Sequence, residues 1–179
     1  MGRLVQVGPV KLCSSKVDME TANAVVFGEQ VLRRVHGDGL RIEPWNEAGV
    51  RTLKICVERP EITPDAGAAG PSGLAGLMGN ACAKTVKTTV TQQIHRDTDA
   101  TQVSSKVRLK MLGAEFIKIR PLFEIYRDAT EDGMMFKATV ELQAVIPPPM
   151  CHLVEGFMEA QTLESLNEYV TAISDLLAK

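Results

Sequence analysis

The sequence predicts an α+β fold: a curved antiparallel β-sheet of about seven strands gripping a long C-terminal α-helix, with one shorter helix after the first strand. Three observations carry this prediction. The last thirty residues repeat apolar side chains at helical spacing, the middle of the chain holds four strand patterns joined by short turns, and each strand alternates one apolar with one polar face. Sheets with a single apolar face are covered on one side only, and one long helix supplies that cover economically.

The first strand is read over Leu4 to Val17, from Val5, Val7, Val10 and Leu12. Asp18 is a suitable N-cap for a helix from about Met19 to Val35, and Gly37 stops it. A short strand at Leu40-Arg41-Ile42 precedes a turn through Pro44 to Gly49. The strand from Val50 to Glu58 then sets Leu53, Ile55 and Val57 against Thr52, Lys54, Cys56 and Glu58. Residues 60–83 are rich in Gly, Ala and Pro and read as a long loop, either an inert insertion or a lid over a pocket.

Four strands follow. Lys84 to Arg96 places Val90, Gln92 and Ile94 on one face, and Thr101 to Leu112 places Val103, Ser105, Val107 and Leu109 together. Ala114 to Tyr126 carries Ile117, Ile119, Phe123 and Ile125, with Pro121 expected at a bulge or sheet edge. Met134 to Ile146 carries Phe136, Ala138, Val140, Leu142 and Ala144. The short links make these strands antiparallel hairpins. Pro147-Pro148-Pro149 ends the last one. From Met150 the stripe Leu153, Val154, Phe157, Met158, Leu166, Tyr169, Val170, Ile173, Leu176 and Leu177 marks a helix, with Gln161 and Ser165 interrupting it. About 28 residues at 1.5 Å each give roughly 40 Å of helix.

Composition narrows the function classes. At 179 residues the chain is read as one domain, and its net charge of −2 with few aromatics among the basic residues gives no footprint for nucleic acid. No apolar run reaches membrane-spanning length, and the N-terminus lacks a signal-peptide core. Cys13, Cys56, Cys82 and Cys151 are scattered without a C-x-x-C pair, so a reduced, cytoplasmic protein is the expectation. His36, His95 and His152 share no metal-ligand spacing, no cofactor motif is recognisable, and Gly73, Gly76 and Gly79 lack the Gly-Lys-Ser/Thr of a phosphate loop.

The element order, with a terminal helix entered through Ile146-Pro147-Pro148-Pro149, resembles the START-like or Bet v 1-like helix-grip (SRPBCC) superfamily over nearly the whole chain. Many members place two helices after the first strand, where one is read here, and the glycine-rich phosphate loop of the plant allergens is not recognisable. The resemblance implies a cavity between sheet and terminal helix, and members that bind sterols, phospholipids, polyketides or other apolar molecules. Fold alone does not choose among carrier, enzyme and protein-interaction module.

Polar side chains on buried faces are the specific clue. Gln92, Ser105 and Gln161 sit among apolar neighbours, where a polar group without a partner costs roughly 1–3 kcal/mol. They satisfy one another or orient a ligand between apolar walls. The expected ligand site comprises Val90, Gln92, Ser105, Val107, Leu109, Phe123, Phe136, Ala138, Val140, Phe157 and Gln161, and its expected occupant is a hydrophobic small molecule or lipid. No catalytic residue is assigned, because the clear acids Glu58 and Glu141 alternate outward. The outward faces of the middle strands are basic, which reads either as a solvated surface that keeps sheet edges from pairing or as a contact with an anionic membrane surface through Lys106, Arg108 and Lys110. The acids of the terminal helix, Glu155 and Glu159 among them, are expected in solvent.

Overall fold

The computed structural model describes residues 2–13, 17–58, 85–111, 114–130 and 133–179. The glycine-rich segment over 60–83, with Cys82, lies outside the described residues, as does the side chain of Lys110. Seven strands form one antiparallel sheet: β1 (Arg3–Cys13), β2 (Leu40–Ile42), β3 (Val50–Glu58), β4 (Thr85–Arg96), β5 (Ala100–Met111), β6 (Ala114–Arg127) and β7 (Met134–Ala144). Their spatial order is β1-β7-β6-β5-β4-β3-β2, so consecutive strands are neighbours and only β1 crosses over, to pair with β7. Among the described residues, three helices, α1 (Met19–Val26), α2 (Glu29–His36) and α3 (Met150–Leu177), pack on one face. The opposite face presents Thr91, Gln93, Gln102, Ser104, Lys106 and Arg108 to solvent.

Two helices stand where one was expected. The Asp18 carboxylate caps α1 by accepting from the Thr21 amide at 2.6 Å, which satisfies one of the unpaired donors of a helix start. At Phe27-Gly28 the chain leaves the helical path, Gly28 turns extended as the N-cap of α2, and the helix restarts. The reason is room rather than an unusual φ. A Cβ on Gly28 would lie 2.0 Å from the carbonyl oxygen of Ala24. The break lets α1 bury Ala22 and Val26 while α2, at a new angle, buries Val31 and Leu32.

The first strand ends at Cys13, short of the expected Val17. Pro121 is not at an edge: β6 lies inside the sheet, between β5 and β7. Nor does it mark a bulge, since Ser104 opposite Leu122 and Val107 opposite Ile119 share one register. Pairing toward β5 simply lapses opposite Pro121, which has no N–H to offer, and the β7 side pairs it with Val140.

The apolar stripe of α3 is rotated from the one read in the sequence. Its buried residues are Cys151, Val154, Glu155, Leu166, Tyr169, Ala172 and Ile173, while Met150, Leu153 and Phe157 are exposed. The cause is Glu155, expected in solvent but only 3% exposed. Its carboxylate accepts from the Ala144 amide at 3.1 Å, an N–H at the end of β7 that needs an acceptor once α3 covers it. Glu159 pairs with Arg3 of β1, and Asp175 pairs with Arg34 of α2 at 2.6 Å. Three of the helix's acids therefore fasten it to its surroundings.

Gly28 is therefore a point of close approach to the Ala24 carbonyl. Gly28→Ala should lower the folding free energy by roughly 1–3 kcal/mol, as overpacking does, and move the urea midpoint without changing the slope. Gln30→Ala, exposed on the same helix pair, should stay within about 0.5 kcal/mol. Equal midpoints for the two variants would remove the steric explanation.

Candidate functional site: a cavity beneath the terminal helix

The cavity is built from the middle of the sheet, one side of α2 and one side of α3, and measures about 220 Å³. The sheet contributes Leu53, Val90, Val107, Ile119, Phe123 and Val140, all apolar. Helix α2 adds Leu32, Val35 and His36, and α3 adds Met158, Gln161, Thr162, Ser165, Leu166 and Tyr169. Gln161 and Ser165 are exposed and still border the space, so the α3 side forms its mouth.

A polar row crosses the apolar floor. Register sets Arg51 opposite Gln92 and Gln92 opposite Ser105, which puts three polar side chains side by side on the inner face. Arg51 Nε donates to Gln92 Oε1 at 2.8 Å, and Gln92 Nε2 donates to Ser105 Oγ at 3.2 Å. All three residues are buried, Arg51 to 6% exposure. The donors run in one direction, from the guanidinium to the hydroxyl. Ser105 receives a bond at its oxygen and keeps its own proton to give, and a cation at the head of the chain polarises that O–H. Burial lowers Arg51 to about 10, which leaves it charged at neutral pH.

Tyr169 closes the far end. Its ring lies 5.5 Å from Phe123 and 5.9 Å from Phe136, centroid to centroid, and its hydroxyl donates to the carbonyl of Val26 at the end of α1. Burial pushes the phenol well above its ordinary value, so it remains a donor.

Of the residues expected at a ligand site, Val90, Gln92, Ser105, Val107, Phe123, Val140 and Gln161 line this cavity. Four do not. Phe136 and Ala138 are fully buried, Phe136 against the Tyr169 ring. Leu109 packs against the core beside the cavity. Phe157 is 46% exposed, carried outward by the turn of α3 that brings Glu155 in. Arg51 was missed, although alternation from Leu53 and Ile55 already sets it on the inner face. His36 was missed as a wall residue because the helix break at Gly28 sets its direction.

Among the described residues no cluster of His, Cys, Asp and Glu can hold a metal ion, and no described helix is long and apolar enough to cross a membrane. Lys106 and Arg108 are exposed on the outer face. Three cross-strand pairs among the described residues share that face, Arg120 with Glu141 at 3.7 Å, Gln102 with Glu124 at 2.9 Å and Lys137 with Glu124 at 4.0 Å.

His36 gives the site a pH signature. Burial holds its imidazole below the ordinary 6.5, so just below pH 6.5 the unfolded chain takes up a proton that the folded chain refuses. Stability should therefore fall as pH drops from 6.5 through the folded-state value, and be unaffected above it. Asp18 and Asp128 are held below 3.8 by hydrogen bonds from Thr21 and Thr130 and titrate outside this window. Urea midpoints between pH 7.5 and 5.5 should decline more steeply for the native chain than for His36→Gln. Parallel profiles would show that His36 is not buried.

No protein-family model and no curated protein sequence matches this chain. Among solved structures, it is similar to the Mll3558 protein of Rhizobium loti, at 10% identity over 96% of this chain and 97% of that chain, with a TM-score of 0.49. It is also similar to a conserved protein of Geobacillus kaustophilus, at 9% identity over 99% of this chain and 93% of that one, with a TM-score of 0.47.

Proposed function

We propose that this chain is a helix-grip domain of the START-like or Bet v 1-like kind that binds a small, mostly apolar molecule carrying one hydrogen-bond acceptor. The single observation behind this reading is the polar row that ends in Ser105 on the floor of an apolar cavity. Apolar walls supply the affinity, at about 25 cal/mol per Å² removed from water, and the Ser105 hydroxyl orients a ketone, ester or ether oxygen. At about 220 Å³ the cavity falls below the usual 300–1,000 Å³ of drug-sized sites. That size favours a one-ring or short-chain molecule over a diacyl lipid or a sterol. The pair α1 and α2 supports the superfamily reading, since two helices after the first strand are what many members carry.

A carrier is favoured over an enzyme. No carboxylate and no cysteine lines the cavity among the described residues, so His36 has neither an acid partner nor a thiol to activate. Delivery to anionic bilayers through Lys106 and Arg108 is the accompanying proposal for a partner.

Acetophenone and ethylbenzene test the reading, because they match in shape and differ at the acceptor. Followed by amide NMR shifts, both should bind, acetophenone about three- to tenfold tighter, as one neutral hydrogen bond allows. Ser105→Ala should erase that difference, and Val107→Phe should abolish both by filling the space. Equal affinities in the native chain, or shifts that persist in Val107→Phe, would overturn the assignment.

A further inference from the structure

A second cavity lies at the other end of Arg51. It is an open cleft of about 720 Å³ between α1, the Phe27-Gly28 break, the turn from Pro44, and the ends of β4 and β5. Its walls include Met19, Phe27, Ile42, Trp45 and Ile94. Among the described residues three buried side-chain atoms have no hydrogen-bond partner: Asn23 Oδ1, Arg51 Nη2 and Thr101 Oγ1. All three residues line this one cleft. Buried polar groups are overwhelmingly paired, so three exceptions converging on one place are unlike scattered packing faults. Arg51 is also a buried cation whose contacts among the described residues are the Gln92 amide and the Trp45 ring, neither of them a carboxylate, and a buried charge without a counter-ion is costly.

The donor set identifies the ligand chemistry. Arg51 Nη2 and the Thr101 hydroxyl donate, and the Asn23 amide presents either its oxygen or its NH2. One guanidinium edge with one or two neutral donors matches a single carboxylate. Arg96 also lines the cleft, with Glu20, Glu29, Glu43 and Asp97. Glu29 is paired with Arg33 at 2.6 Å and Glu43 with Lys54 at 3.6 Å. The remaining acids disfavour a dianion such as phosphate more than a single negative charge, while the apolar walls suit a hydrocarbon or aromatic body. We propose that this cleft binds a small monocarboxylate, its head against Arg51 and Thr101 and its apolar body along Phe27, Ile42 and Ile94.

Trp45 is the cover of the site. Its ring rests on the guanidinium, 4.1 Å from Cζ to the ring centroid, and the three unpartnered atoms are buried within residues that line the cleft. A carboxylate reaches them by displacing that ring. The turn that carries Trp45 is suited to the movement, since Pro44, Asn46, Glu47 and Ala48 are exposed and the Asn46 side chain holds the turn together by accepting from the Ala48 and Val50 amides. This site shares Arg51 with the row above but does not depend on the apolar cavity being filled, because Trp45 lines only the cleft.

Trp45 is the chain's one tryptophan, so its emission reports the site directly. Titration of the intact chain with sodium phenylacetate, against sodium chloride at equal ionic strength, should give a saturable change in that emission. Phenylacetamide, equal in shape and uncharged, should bind at least about tenfold more weakly, as loss of a charge-assisted hydrogen bond implies. Inorganic phosphate should give no saturable change. Thr101→Val, nearly isosteric, should weaken phenylacetate about tenfold while the urea midpoint confirms a folded chain. The proposal is overturned if phenylacetate gives no saturable change, if the amide binds as well as the acid, or if Thr101→Val binds like the native chain.

Discussion

Tyr169 is the interaction on which the arrangement depends. Three layers meet at this one side chain: its ring packs tilted against Phe123 of β6 and Phe136 of β7, and its hydroxyl holds the last carbonyl of α1. Carbonyls at a helix end lack intrahelical partners, and a buried one left unpaired costs about 1–3 kcal/mol. Aromatic contacts of this kind add roughly 0.5–1.5 kcal/mol each beyond the area they bury. The same contact decides where the cavity is. Where the ring meets Phe136 the sheet is sealed, and the space opens toward Gln161 and Ser165.

A second constraint runs across the sheet. Arg51, Gln92 and Ser105 are neighbours because the β3–β4 and β4–β5 registers make them so. A one-residue slip of either hairpin would expose Arg51 or Ser105 and bury a residue of the outer face. Next to Ser105 the backbone pairing lapses at Pro121, which also lines the cavity, so the polar row ends at an irregular place in the floor. The guanidinium at the other end borders the cleft and joins the cavity floor only through Gln92. Its Nε belongs to the row, and its Nη2 has no partner of its own.

Much of the fold was legible in the sequence because sheet alternation has a period of two and leaves little choice. The seven strands, the turn at Pro44 to Gly49 and the cap at Asp18 all follow from local pattern, and so does the inward direction of Gln92 and Ser105. The face of α3 was harder. A helical stripe with Leu153 and Phe157 on one side and Cys151 and Glu155 on the other is decided by which contact the sheet end demands, and here the Ala144 amide demanded a carboxylate. The helix break at Gly28 was missed because its signal is a close approach to the Ala24 carbonyl, a distance that no periodicity records. Arg51 was within reach of the alternation rule and was overlooked because charged residues are rarely buried without a partner.

The central claim is that α2, α3 and the sheet enclose unfilled, mostly apolar space rather than a solid core. Xenon enters such spaces without needing a specific partner. A crystal of this protein pressurised with xenon should show a xenon peak among Val107, Phe123, Val140 and Leu166, with the surrounding side chains unmoved. A structure without that peak, in which those side chains meet across the space, would contradict it.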